Sequence, residues 1–134
     1  MSSRGSKAKN NRFTGDEYWT TEVLSHGEEV LEGYEHVHSM PDYSHSANSV
    51  YIVKDELGHF RTMRVYDEDH MPIIEIAHHP ESRINHGNRK DPIWHMHVYK
   101  KGDLEHNPAQ LISKEIEERY KDLLEDIGYD QWHS

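Results

Sequence analysis

The sequence predicts an α+β domain: an antiparallel β-meander of about four to five strands with a C-terminal amphipathic helix packed on one face. Between residues 50 and 99, short runs rich in Val, Ile, Tyr and Trp are separated by turns that contain Gly, Pro, Asp and Asn. This pattern is typical of strands joined by hairpin connections. Beyond residue 107, apolar residues recur every three to four positions, which indicates a helix with one buried face.

The length of 134 residues suits one domain with a modest core. Residues 1–13 contain four basic residues and no acidic one, and we expect a disordered basic tail there. The single α+β domain then spans residues 14–134. The whole chain has 15 Lys and Arg against 25 Asp and Glu, a net charge of −10, so the domain itself is acidic. Because binding to a duplex backbone takes clustered cations, non-specific binding to a nucleic-acid duplex is not expected.

The first part of the domain is less regular than the rest. Residues 18–24 and 29–32 have strand-forming side chains on either side of Gly27, residues 34–38 alternate with a period of two, and residues 40–48 are loop-like. The clearest strands follow, with turns at 55–58 and 67–70 and a polar loop at 80–92. They are residues 50–53, 59–66, 73–79 and 93–99.

The C-terminal helix is predicted to begin at Asn107, which is a suitable N-cap, with Pro108 in the first helical position and Gln110 completing a capping box. Gly128 supplies the stop. The apolar positions at helical spacing are Leu111, Ile112, Ile116, Tyr120, Leu123, Leu124 and Ile127. The predicted outer face is acidic and carries Glu115, Glu117, Glu118, Asp122, Glu125 and Asp126.

Histidine is the unusual feature of the composition, with 13 copies. Side chains two apart on a strand share a face, so His95 and His97 point the same way. If the isoleucines of the preceding strand face the core, Glu75 and His79 lie on the same open face as this pair. A carboxylate and three imidazoles then converge, with Arg64 or Arg61 of the next strand within reach.

Two kinds of chemistry suit this cluster. In the acid–base interpretation, His95 and His97 share the acid and base roles of a metal-independent ribonuclease, assisted by His79 and Glu75, because the 2′-hydroxyl of RNA serves as the nucleophile. The adjacent loop would hold the phosphate through Arg83, Arg89 and Lys90. In the alternative interpretation, His79, His95 and His97 bind a divalent transition metal such as Zn. A third possibility is a set of exposed histidines with no chemical role.

Three segments of this region, residues 64–69, 73–80 and 94–99, together resemble a small His-rich module. Similar modules form the terminal toxin domain of bacterial polymorphic toxins and occur in some toxin–antitoxin toxins and in phage or mobile-element proteins. The resemblance implies a nuclease-like toxin, an RNase, with His79, His95 and His97 at the matching positions. It also implies a cognate immunity protein or antitoxin as partner.

The sequence therefore favours a toxin-like ribonuclease that needs no cofactor and acts on RNA. The alternative is a non-enzymatic metal-binding or protein-interaction module of phage or mobile-element type, whose acidic helix engages a basic protein partner. Without cysteine there can be no disulfides, thiolate zinc sites or iron–sulfur clusters, and we expect a cytoplasmic protein. No apolar run approaches the ~18–20 residues of a membrane span, and the first residues have no apolar segment of a secretory signal, so no membrane partner is expected.

Overall fold

Runs of β-branched and aromatic residues form six strands in the part of the chain that the computed structural model describes, residues 18–33, 40–81 and 92–129. Two short helices follow them. The strands are β1 (Tyr18–Val23), β2 (Glu29–Gly33), β3 (Val50–Lys54), β4 (Phe60–Tyr66), β5 (Pro72–His79) and β6 (Ile93–Val98). The helices are α1 (Lys114–Arg119) and α2 (Lys121–Asp126). The α+β class is thus confirmed.

The six strands form one sheet in sequential order, but the sheet is mixed. Strands β2 and β3 are parallel, whereas every other neighbouring pair is antiparallel. The predicted meander of four to five antiparallel strands was therefore wrong in strand number and in this one pairing. A parallel pair needs a connection of about a dozen residues or more, and residues 34–49 provide it between β2 and β3.

The pairing of strands β4, β5 and β6 sets the two faces of the sheet. Ile74 and Ile76 of β5 pair with Val98 and Met96 of β6, and Met63 of β4 pairs with Ile76. These residues face the helices. The core on this side is completed by the C-terminal segment, and its buried members are Val30, Ile52, Met63, Val65, Ile74, Ile76, Trp94, Met96, Ile112, Ile116, Leu124 and Ile127. The helical segment, which the sequence predicted as one helix, thus contributes to the core on this side of the sheet.

The opposite face of the sheet carries a second, smaller apolar cluster. Tyr51 and Tyr66 pack with their ring centroids 5.0 Å apart, and Met40 covers them from the loop that precedes β3. The Tyr66 hydroxyl donates a hydrogen bond to the Pro41 carbonyl oxygen in that loop. The loop therefore covers the part of this face that β3 and β4 form. The polar residues of β5 and β6 lie beside the loop on the same face.

The C-terminal helix begins later than predicted and is not continuous. Residue 110 instead pairs with the outer strand: Met96 N–H donates to the Gln110 carbonyl at 2.8 Å, and Gln110 N–H donates back at 3.0 Å. The edge of β6 thus forms hydrogen bonds with backbone N–H and C=O groups that a helix begun at Asn107 would have paired within itself. Ser113 is the actual N-cap, since its hydroxyl accepts from Ile116 N–H.

The helical segment is divided at Tyr120, whose backbone leaves the helical region, and it ends as predicted at Gly128. Gly128 has a φ of 81°, which favours glycine, and Tyr129 N–H donates to the Leu124 carbonyl as in a Schellman cap. Two of the acidic side chains predicted for the outer face form hydrogen bonds within the domain. Glu117 accepts from the Tyr129 hydroxyl, and Asp126 contacts the β1–β2 turn.

The predicted tail, residues 1–13, lies outside the described residues, and the division into tail and domain stays a prediction. Among the residues described, neither helix has the length or the apolar content needed to cross a membrane.

Replacing Ile76 by Ala should lower the free energy of unfolding by about 2–5 kcal/mol, because a buried aliphatic side chain would leave a cavity. Ile76 is 0% exposed at the centre of the helix-side core. Urea denaturation followed by circular dichroism measures the change. The matched control is Leu57→Ala, which truncates a side chain that is 80% exposed in the β3–β4 turn, and it should cost less than about 0.5 kcal/mol. Equal losses in the two variants would contradict this placement of the core.

Candidate functional site

The pairing of β5 with β6 brings the predicted histidines to one end of one sheet face. Glu75 lies opposite His97, Ala77 opposite His95, and His79 opposite Ile93. The rings of His79 and His95 have centroids 4.7 Å apart, and those of His95 and His97 are 5.4 Å apart. Three imidazoles therefore form a contiguous row, which we call the histidine row.

Each imidazole of the histidine row is held through Nδ1 by a backbone carbonyl oxygen. The acceptors are Pro80 for His79 at 3.0 Å, Ile93 for His95 at 2.8 Å, and Asn107 for His97 at 3.1 Å. A carbonyl oxygen only accepts, so each Nδ1 carries the proton. The neutral tautomer then has its lone pair on Nε2, the nitrogen that remains available to a ligand or a proton.

His95 is the buried member of the row. Its side chain is 0% exposed, and its Nε2 has no hydrogen-bond partner among the residues described. A buried polar atom without a partner costs about 1–3 kcal/mol, so native proteins rarely leave one. The expected open face is thus correct for His79 and His97, which are partly exposed, but wrong for His95.

Burial also sets the charge state of His95. It lowers the pKa of the imidazole below 6.5, and positive charge on His79 or His97 lowers it further, against the opposing hydrogen bond to the Ile93 carbonyl. At neutral pH the ring is therefore uncharged. A neutral imidazole with a free lone pair is a metal ligand or a base, and it is not an acid.

Glu81 belongs to the site, although the sequence analysis did not single it out. One ligand atom each from Glu81, His95 and His97 can be chosen so that all three lie within 4.8 Å of one another. Glu81 stands two residues after His79 at the end of β5, and the alternation that unites His95 with His97 would have placed it beside His79. His106, which the sequence did not single out either, also adjoins the row: the centroid of its ring lies 4.3 Å from that of His97.

Glu75, a predicted catalytic residue, is bound to arginine instead of histidine. Arg64 donates to Glu75 Oε1 from Nε at 2.9 Å and from Nη2 at 2.6 Å, and it also donates to the Pro41 carbonyl. Tyr99 adjoins the pair, and burial together with the charge of Glu75 raises the pKa of Tyr99 to about 12. This group forms a polar floor beside the histidine row. Of the two arginines considered from β4, Arg64 is the one that reaches this face.

The predicted phosphate-binding residues Arg83, Arg89 and Lys90 lie outside the described residues, so their role stays a prediction. The remaining sequence-predicted site residues, His79, His95, His97 and Glu75, share one face of β5 and β6. Their arrangement suits two kinds of chemistry: coordination of a metal ion through Nε2 atoms, or proton transfer to and from a bound molecule.

His95 should titrate at a pH below 6.5 in the metal-free protein, and ¹H–¹⁵N spectra of the ring should show the proton on Nδ1. Because the unfolded chain binds this proton more readily, stability should fall as the pH drops below about 6.5. The loss is complete below the folded-state pKa. His95→Gln should flatten this part of the pH dependence of unfolding. A titration midpoint above 6.5 would contradict the burial of the ring.

The resemblance to His-rich toxin modules stays a prediction. No protein-family model, curated protein or solved structure matches this chain.

Proposed function

We propose that this protein binds a divalent transition metal ion through His95, His97 and Glu81, with His79 beside them. The observation that carries the proposal is the Nε2 atom of His95: it is buried, holds a lone pair, and lacks a hydrogen-bond partner among the residues described. A metal ion would remove the cost of that orphaned atom. Water would do so only if the site had room and further polar partners for it.

The anchoring of the rings supports the same proposal. Histidines that bind metals nearly always donate their other ring N–H to a carboxylate or a backbone carbonyl, which fixes the tautomer and the orientation of the ring. His95 and His97 both have this arrangement, with Ile93 and Asn107 as acceptors. Because the backbone groups belong to the sheet and its edge, the rings are positioned before any ion arrives.

The donor set indicates the class of ion. Two imidazole nitrogens and one carboxylate oxygen suit zinc, and the same set with open positions also suits Fe(II). Zinc ligands at about 2.0–2.1 Å from the ion stand roughly 3.3 Å apart in a tetrahedron. The three ligand atoms lie within 4.8 Å of one another, so small rotations of the side chains can bring them to this spacing. Three protein ligands leave a fourth position for water or for His79.

Protein purified without a polyhistidine tag should bind Zn²⁺ or Co²⁺, and His97→Gln and Glu81→Gln should each weaken binding at least about tenfold. Isothermal titration calorimetry measures the affinity, and the visible absorption of bound Co²⁺ reports whether the nitrogen and oxygen ligands are arranged as a tetrahedron. These two side chains are partly exposed, so their loss should leave the fold intact.

The matched control for this titration is His59→Gln, which removes an imidazole whose side chain is 74% exposed in the β3–β4 turn. It should bind the ion as the wild-type protein does. If His59→Gln weakens binding as much as His97→Gln, the ion is bound by exposed histidines in general. If the wild-type protein binds no transition metal, the proposal is wrong.

A second candidate, the metal-independent ribonuclease, is favoured by one observation: a neutral His95 could take a proton while His97, 5.4 Å away between ring centroids, supplies one. The burial of His95 argues against it, because a base must reach the proton it removes. Arg64 is a positively charged side chain on this face of the sheet, but it already forms an ion pair with Glu75. Only this second candidate agrees with what the toxin-type resemblance implies, which is RNA as the substrate and an immunity protein or antitoxin as the partner.

The two candidates respond differently to a chelator. If the site is a metal-independent ribonuclease, cleavage of a labelled RNA should survive EDTA and fall by at least about 10²-fold in His97→Gln. His59→Gln should cleave as the wild-type protein does. Cleavage that EDTA abolishes, cleavage undiminished in His97→Gln, or no cleavage by the wild-type protein would rule out this candidate. Metal binding is measured separately, so it can succeed where this assay fails.

The chain offers less support for a partner-binding role. The acidic residues Glu115, Glu118, Asp122 and Glu125 are exposed on the helices, which is compatible with a basic protein partner. We also propose a cytoplasmic location. Disulfides are typical of proteins in oxidising compartments, and this chain has no cysteine with which to form one.

A further inference from the structure

A second group of ligand-type side chains joins two parts of the chain that are far apart in sequence. It consists of His26 and Glu28 in the turn between β1 and β2, and Asp126 at the end of α2. One ligand atom from each can be chosen so that all three lie within 4.8 Å of one another. The Ser25 hydroxyl donates to both carboxylate oxygens of Asp126, at 3.0 and 2.8 Å, which fixes the carboxylate against the turn.

Glu28 is the unusual member of this group. It is 0% exposed, and its Oε1 accepts from the His26 backbone N–H at 2.8 Å. With the carboxyl ionised, Oε2 has no hydrogen-bond partner in the described parts of the chain. A ligand oxygen of Glu28 lies within 4.8 Å of one of Asp126, so a shared proton or a cation between the two carboxylates would satisfy Oε2. A buried ionised carboxylate is otherwise too costly to keep.

The charges around Glu28 favour a cation. Asp126 and Asp122 add two carboxylates, and His26 lies between them, with Nδ1 2.7 Å from Asp126 Oδ2 and Nε2 3.9 Å from Asp122 Oδ2. Within the described residues, no Lys or Arg forms an ion pair with any of these three acids. Three carboxylates and one imidazole give this group a net negative charge. The group is open to solvent at His26, which is exposed.

We propose that His26, Glu28 and Asp126 form a second metal site, for a divalent cation such as Mn²⁺, that ties the β1–β2 turn to α2. Two carboxylate oxygens and one imidazole nitrogen are a harder donor set than the histidine row, and they suit Mn²⁺. The Ser25 hydroxyl and water would complete the coordination. The raised pKa of Glu28, caused by burial and by Asp126, is consistent with a group that holds a proton when no cation is bound.

The second site does not depend on the first, and the probe is Mn²⁺ alone. Titration of the full chain at pH 7, followed by the loss of the electron paramagnetic resonance signal of free Mn²⁺, should show one ion bound per chain. Glu28→Gln should weaken binding at least about tenfold, because the amide keeps the shape and can still donate to Asp126 but lacks the charge. His26→Gln, at an exposed position where no core packing is lost, should weaken binding to a similar extent.

Two control variants separate this site from other carboxylates and from the histidine row. Glu115→Gln neutralises an acid of α1 whose side chain is 75% exposed, and His97→Gln disables the first site. Both should bind Mn²⁺ as the wild-type protein does. Mn²⁺ should also raise the melting temperature of the wild-type protein and leave that of Glu28→Gln unchanged, since the ion links the turn to α2 in the folded state only.

The proposal is overturned by any of three results: no Mn²⁺ binding by the wild-type protein, binding undiminished in both Glu28→Gln and His26→Gln, or a loss confined to His97→Gln. The first result would leave a proton shared between Glu28 and Asp126 as the partner of Oε2. The third would assign the Mn²⁺ to the histidine row.

Discussion

The register of β5 against β6 is the constraint on which the rest of the site depends. Ile76 pairs with Met96 on the helix side, and this places Ala77 opposite His95 on the other face. Because side chains alternate along a strand, a slip of β6 by one residue would exchange the two faces of that strand. It would turn His95 and His97 toward the helices and Met96 away from them. Burial of Ile74, Ile76 and Met96 in the core therefore fixes the positions of the histidines.

Once the register is fixed, the backbone determines the chemistry of the imidazoles. The carbonyls that hold His79 and His95 belong to Pro80 and Ile93, near the same end of the paired strands. The carbonyl that holds His97 belongs to Asn107, in the segment that pairs with the edge of β6. The departure of this segment from helical structure thus has a role at the site: a helix begun at Asn107 would have used its carbonyl internally.

Local patterns predicted the strands of the second half and the face shared by His95 and His97, because a period of two is visible in any strand segment. They did not predict the parallel pairing of β2 with β3, or the pairing of Gln110 with Met96, since both depend on which distant segment reaches a free strand edge. Glu81 and His26 were missed for different reasons. The alternation of β5 would have placed Glu81 beside His79, but the sequence assigned Pro80 to the following loop. The partner of His26 is Asp126, 100 residues away, and no local pattern encodes such a contact.

The two proposed sites follow from one physical argument applied to two kinds of donor. Each contains a fully buried polar side chain with one atom, Nε2 of His95 or Oε2 of Glu28, that lacks a hydrogen-bond partner among the described residues, beside further ligand-type groups. A buried orphan is costly, whereas a bound ion turns it into a ligand whose geometry the fold has already set. The nitrogen-rich row and the oxygen-rich turn should therefore differ in the ion they prefer. An ion in the turn would act chiefly on stability, because it joins the turn to α2, while an ion at the row keeps a position open to a bound molecule.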